Sequence, residues 1–445
     1  MGSHARGLAL ASLAPLLLVL LAIGLTRQTW RGHYYWGVDS VFYEAQKLEL
    51  KGEDAAAARR QAIALYARSG VPDHGLKPFR NAHWVSESAR NYRRRWVVPA
   101  LGAAISPVFG TRSLLLVSLV GYVVGGLAIF ALLRRRFGRV VSATAASGIL
   151  LVPPFRQWSG YPLTDSWGVA MEAVALLAAV LVLDRGRRWL PLWAASMLAL
   201  AFTRDATLVA LAGIAWLAVR ERSCRALELL VVGAAAAAPA LLLFGPPFRV
   251  ALAYDLNGSW PPEHPTWSFI LHHYPDRLRW MGWWDFHTHV NPSSGRLIAV
   301  IFLLGIALLT ATRRGVRIHR IRQLGGLVGV AFGLLTLGLG QTSFGAGPEL
   351  SVGVLVLGSF AALFLLRTGD EAFVRVARGA AIGSLLYLFL MPNYTQFRLE
   401  LVTLVPAAIG LAFVVAAALR PLPHPDVRLA GYPSPAAAAA RTASS

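Results

Sequence analysis

The chain holds one cysteine, Cys224, among 445 residues, so no disulfide forms within it and no site is built from several thiolates. Lysine is nearly missing as well: Lys47, Lys51 and Lys77 stand against 40 arginines. Charge of either sign is thin, at 15% of residues, while 56% are hydrophobic. These proportions exclude an ordinary soluble globular protein. The formal net charge of +21 would suit a nucleic-acid partner. The arginines, however, sit in short groups between apolar runs, where membrane topology accounts for them, and no nucleic acid is expected.

What the chain has in abundance is apolar runs of membrane length. Residues Leu8 to Leu25 are uncharged, 18 in a row. As a helix they span about 27 Å, close to the roughly 30 Å of a bilayer's hydrocarbon. The run ends Leu25-Thr26-Arg27-Gln28, without a small-x-small cleavage pattern, and reads as a retained first helix. Arginine groups at 134–139, 185–188, 220–225, 313–322 and 367–378 hold 18 arginines, whereas the alternate short loops carry only Arg156, Arg204 and Arg398. The positive-inside rule makes the first set cytoplasmic and the second external.

Keeping those groups on one side requires an even number of crossings between them. The sequence therefore predicts an all-α polytopic membrane protein with about 12 spans. They lie near 8–26, 113–133, 140–153, 166–183, 189–203, 206–219, 226–244, 297–312, 324–340, 351–366, 380–391 and 401–419. The apolar stretch 96–110 is too short to cross without inverting the later groups. It reads as an in-plane or re-entrant helix in a long first external loop, residues 27–112. Both termini are expected in the cytoplasm and the protein in the plasma membrane. Three regions follow: a membrane module over 1–220, a second over 221–420 with an external loop at 245–296, and a disordered Pro/Ala-rich tail over 421–445.

Chemistry is expected where carboxylates and guanidiniums meet the external membrane edge. Asp39 lies in Trp36-Gly37-Val38-Asp39-Ser40-Val41-Phe42-Tyr43, amid the aromatics Tyr34, Tyr35, Trp36 and Tyr43. It is a candidate base, or else a cap for a helix beginning near Ser40. Tyr161-Pro162-Leu163-Thr164-Asp165-Ser166 forms an external turn opening a helix. On that helix Asp165 and Glu172, seven residues apart, share a face. Glu172 would lie at bilayer depth and so face a cavity or a partner. Thr164 or Asp165 could equally cap the helix.

Arg204 and Arg398 are candidates for holding a phosphate, since guanidinium suits bidentate contact with its oxygens. An ion pair with Asp205, Glu400 or another acid is the plain alternative. Arg93, Arg94 and Arg95 read as a patch facing lipid headgroups, with a position inside the site open to one of them. In Asp285-Phe286-His287-Thr288-His289 an extended chain would put the acid and both histidines on one face, a weak metal corner. A polar lid with tryptophans to stack on sugars is the better reading of that loop.

Taken in order, these residues resemble a known superfamily. Asp39 in the first external loop is followed by Tyr92-Arg93-Arg94-Arg95-Trp96-Val97-Val98-Pro99 and a short apolar helix ending Phe109-Gly110. Then come Arg134-Arg135-Arg136-Phe137-Gly138, the turn at 161–166, and Thr203-Arg204-Asp205 between two short apolar segments. The order and sidedness are similar to the GT-C membrane glycosyltransferases over roughly residues 1–220. The resemblance implies a polyprenyl-phosphate sugar donor used at the outer face, inversion at the anomeric carbon, and Asp39 as general base. It implies substrate contacts at Asp165, Glu172, Arg204, Arg398, Tyr43 and Tyr161, and a glycan, lipid or protein acceptor among the membrane lipids. Members often carry two adjacent acids in the first loop, but here Ser40 follows Asp39. No cofactor is firmly expected, and a divalent metal is left open. Two rivals remain: a transporter or flippase of lipid-linked or polar solutes, and a non-catalytic scaffold of the same fold.

Overall fold

The computed structural model describes residues 13–26, 37–71, 73–204, 206–256, 265–285, 356, 358–364, 371–390 and 400–418. The elements there are helical, with no strand among the described residues. Helix α1 covers Leu13–Thr26. A cluster of shorter helices follows: α2 (Val38–Leu50), α3 (Ala55–Arg68), α4 (Asp73–Leu76), α5 (Ala82–Tyr92) and α6 (Val97–Phe109). The bundle proper comprises α7 (Ser113–Leu133), α8 (Arg139–Leu150), the short α9 (Pro153–Ser159), α10 (Asp165–Arg185), α11 (Leu190–Ala201), α12 (Thr207–Glu221) and α13 (Cys224–Pro239). It continues through α14 (Phe248–Leu256), α15 (Trp267–Asp285), α16 (Ala372–Leu390) and α17 (Leu404–Ala418).

Four stretches are long and apolar enough to cross a membrane: Val97–Leu133, Asp165–Arg185, Cys224–Phe244 and Ala372–Leu390. The first of these is not one rod. At Gly110 the backbone takes φ +54°, a region costly for any residue with a Cβ. The chain turns there, and α6 folds back on α7 so closely that a Cβ on Gly102 would strike Leu114. A separate helix over 97–109 is what the short apolar stretch predicted. The break expected around Arg204 is present too, since α11 stops at Ala201 and α12 starts at Thr207.

The core is a lattice of small and aliphatic residues from α7, α8, α10, α12, α16 and α17. Small residues matter because, in lipid, helix association relies on close packing rather than on hydrophobic transfer. At the α12–α16 crossing the two backbones nearly touch. A Cβ on Gly213 would lie 2.7 Å from the Gly379 carbonyl, and one on Gly383 would lie 2.2 Å from Val209 O. Between α7 and α10, Ser166 Oγ donates to Ser118 O at 2.7 Å and Trp167 Nε1 donates to Val117 O at 2.8 Å. These bonds satisfy polar groups that no water could reach.

Ion pairs gather the basic groups at one end of the bundle. Arg136 meets Glu371 at 2.6 Å, Arg375 meets Glu221 at 3.3 Å, and Arg187 meets Glu228 at 2.9 Å. Four of the five arginine groups are thus neighbours in space, the arrangement that a shared side of the membrane demands. Helix α7 carries the chain from this end to the other, a length of about 31 Å. The second cluster of polar residues lies at that opposite end.

Candidate active site

Helix α2 begins at Val38, with Gly37 in extended backbone as its cap. Ser40 Oγ accepts from the Gly37 N–H at 3.1 Å, so the start of the helix is tied by Ser40 and not by Asp39. That releases the Asp39 carboxylate from the capping role open to it in the sequence. It stands in the first turn, where the helix dipole favours a negative charge, and it is half-buried.

One turn on, Tyr43 is fully buried on the same face as Asp39. Its hydroxyl is the junction of the site. Arg95 Nη1 donates to it at 2.9 Å, and it shares a hydrogen bond of 3.2 Å with Thr164 Oγ1. The Arg95 guanidinium also lies 4.8 Å from the centre of the Tyr92 ring, a cation–π contact. Burial pulls the Arg95 pKa down, but the oxygens of Tyr43 and Tyr92, and then Asp39, pull it further up. Arg95 therefore stays a fixed buried cation. Asp39 also raises the Tyr66 phenol, after burial and ahead of Tyr161. Tyr161 packs at the start of α2, where a Cβ on Gly37 would lie 3.6 Å from its ring.

Thr164 precedes α10 but makes no side-chain cap, because its hydroxyl is committed to Tyr43. The next residue, Asp165, is buried and ion-paired with Arg204 through Oδ1 and Nη1. Arg204 reaches it by running across Gly168, where a Cβ would lie 3.0 Å from its Cδ. The plain alternative for Arg204, an ion pair with an acid, is therefore realised with Asp165. Asp205 lies outside the described residues. The loop after α11 is also pinned to the start of α6, since the Val97 N–H donates to Phe202 O at 3.3 Å. That bond draws Arg204 and Arg95 toward one place.

Asp39, Tyr43, Tyr161, Asp165 and Arg204, picked from sequence, thus form one linked constellation. Glu172 shares the α10 face with Asp165 as expected and is fully buried, two turns deeper. Neither of its carboxylate oxygens has a hydrogen-bond partner among the described residues. Arg398 lies outside the described residues, as do Tyr34, Tyr35 and Trp36.

The expected headgroup patch at Arg93–Arg95 is corrected: only Arg93 is exposed, while Arg94 and Arg95 are buried. The chain turns after α5, with the Arg95 N–H donating to Tyr92 O at 2.9 Å, and this rolls Arg95 inward. Thr164, Tyr66 and Tyr92 were not singled out as site residues, and only their closeness to marked positions hinted at them.

Most of the weak metal corner at 285–289 lies outside the described residues. Asp285 closes helix α15 rather than starting an extended run, and His287 and His289 lie outside the described residues. No group of three His, Cys, Asp or Glu side chains that could hold an ion occurs among the described residues. Asp165, the acid nearest the constellation's centre, already faces a guanidinium. This donor set does not suit a divalent cation, and no step is routed through one.

Residues 96–248 match the family of dolichyl-phosphate-mannose-protein mannosyltransferases, a GT-C family of membrane glycosyltransferases. The match starts beside Arg95, takes in Asp165 and Arg204, and covers roughly a third of the chain. No curated protein and no solved structure matches the chain.

Proposed function

We propose that this protein is a membrane glycosyltransferase that moves a sugar from a polyprenyl-phosphate donor to an acceptor hydroxyl. The observation that carries the reading is the Tyr43 junction. It sets a carboxylate, Asp39, one helical turn from Tyr43, whose hydroxyl takes a hydrogen bond from the buried cation Arg95, just ahead of the segment that matches the family. Glycosyl transfer needs those two things: a base for the acceptor and a positive charge for the departing phosphate.

In the proposed step the acceptor O–H gives its proton to the Asp39 carboxylate. Its oxygen forms a bond to the anomeric carbon as the bond from that carbon to the phosphate oxygen breaks. The electron pair leaves on the polyprenyl phosphate, where the positive charges of Arg95 and Arg204 stabilise it. A single displacement of this kind inverts the anomeric centre. Tyr161, beside Asp39, offers a ring face to the sugar. Asp165 holds Arg204 in place, and Glu172 lies deeper along the same face. The site faces outward under this reading, with the arginine groups in the cytoplasm and the protein in the plasma membrane. Sugar, acceptor and polyprenol depend on pocket shape.

Purified protein incubated with a panel of polyprenyl-phosphate sugars should release polyprenyl phosphate. Asp39→Asn keeps the shape and removes the basicity, so turnover should drop by about 10²–10⁴ while the thermal unfolding midpoint holds. Turnover within threefold of the unmodified protein would remove Asp39 from the role. Movement of intact lipid-linked sugar across vesicles, without release, would favour a flippase.

A further inference from the structure

Further along α2, past Asp39, the helix borders a different space. Between α2, α3 and α5 lies a cavity of about 390 Å³. Its size falls within the roughly 300–1,000 Å³ typical of small-molecule sites. Three guanidiniums line it, from Arg59, Arg90 and Arg93, against the single carboxylate of Glu49. None of the three makes a salt bridge among the described residues. Arg59 is steadied by its Nε donating to Ala55 O at 3.2 Å, which leaves its terminal nitrogens for a ligand.

The floor of the cavity is Phe42, stacked on Tyr92 at 5.1 Å between ring centres. Gln46 donates through Nε2 to Tyr92 O at 2.8 Å, and its buried Oε1 has no partner among the described residues. Ser86 adds a hydroxyl at the rim. An aromatic floor, a rim hydroxyl and an excess of two positive charges together describe a sugar that bears an oxyanion. A neutral sugar would leave the guanidiniums unanswered, and a bare inorganic anion would leave Phe42 and Ser86 unused.

The cavity is not the catalytic site. Gln46 and Asp39 are seven residues apart on one helix, about 10 Å along its axis. A chain of sugars held at one unit in the cavity could therefore lay a neighbouring unit beside Asp39.

We infer that the cavity between α2, α3 and α5 binds the oxyanion-bearing sugar, a uronate or sugar phosphate, of a glycan acceptor. The acceptor role rests on the glycosyltransferase reading, while the binding itself does not. The test uses the full-length protein in phosphatidylcholine nanodiscs, titrated calorimetrically with glucuronate and with glucose. Glucuronate should bind at least about tenfold more tightly than glucose, and inorganic phosphate should compete with it. Arg90→Gln combined with Arg93→Gln, both exposed positions, should weaken glucuronate about tenfold without moving the unfolding midpoint. Asp39→Asn should bind it unchanged.

Equal affinity for the two sugars, or a double variant that binds glucuronate like the unmodified protein, would overturn the inference. So would loss of glucuronate binding when phosphatidylglycerol replaces phosphatidylcholine, since the oxyanion would then belong to a lipid headgroup. Protein that binds glucuronate but releases no polyprenyl phosphate from any donor would refute the catalytic reading and leave the cavity's ligand standing. Protein that turns over donors yet shows no preference for glucuronate would do the reverse.

Discussion

At the scale of single residues, Tyr43 is the position on which the site turns. Its hydroxyl accepts from Arg95 and bonds Thr164, so one oxygen holds three elements together. Tyr43→Phe should lower turnover about tenfold, with the donor KM rising as Arg95 loses its anchor; kinetics at varied donor concentration reads both. Arg95→Lys keeps the charge and loses the planar fork, so donor binding should weaken roughly tenfold while acceptor KM stays constant. An unchanged donor KM in Arg95→Lys would move the phosphate elsewhere.

The buried Asp165–Arg204 pair makes a different kind of prediction. Asp165→Asn leaves a guanidinium without its counter-charge and should cost about 3–5 kcal/mol of stability. Adding Arg204→Gln should return part of that loss, as read from thermal unfolding in detergent. Asp39, Asp165 and Arg204 were legible in the sequence because an acid or a lone arginine at an external membrane edge is conspicuous. An inward arginine among 93–95 was open in the sequence, but not which one, because the direction of each arginine in a run of three depends on a turn whose hydrogen bond the sequence does not display.

Among the helices, the α12–α16 crossing is a contact of backbone on backbone and the least legible. Glycine at 213, 379 and 383 is unremarkable in an apolar run, and nothing local says that two runs more than 150 residues apart will meet there. Yet Gly213 abuts the backbone of Gly379. Gly213→Val should cost about 1–3 kcal/mol through overpacking. Gly138→Val is the control, since a Cβ there meets nothing within 4 Å. Equal unfolding midpoints for the two variants would mean the crossing is looser than its geometry. Apolar length, by contrast, marked α1, α6, α7, α8, α10 to α13, α16 and α17 and the break between α11 and α12, but not α2 to α5, α9, α14 or α15. The length rule works because lipid forces each backbone group to bond within its own helix.

For the whole molecule, the arginine-rich end and the site end sit on opposite sides of the bundle, and topology becomes testable with the native chain. Cys224 is exposed and belongs to the arginine-rich end. An impermeant maleimide should miss it in intact cells and label it after permeabilisation. A Cys224→Ala protein carrying Arg112→Cys should show the reverse. Labelling of Cys224 from outside would invert the orientation and move the site to the cytoplasmic face. The gathering of the arginine groups at one end was legible, because arginine bias marks the loops that share a side. Which loop residues gather around α2 was not, because that depends on turns between short helices.

The glycine-lined crossing of α12 with α16 also bears on heredity. Half of that contact, α12, lies inside the family-like segment, and the other half, α16, lies more than 120 residues beyond it. A gene fragment that encoded only the recognisable segment would deliver a bundle with a strip of bare backbone turned to lipid. Recombination between relatives is then constrained to carry both glycine partners together. Chimaeras that exchange residues 371–418 between relatives should assemble only where the incoming helix offers small residues opposite Gly213. A helix outside the family match is thus tied, through a contact of backbone on backbone, to one inside it.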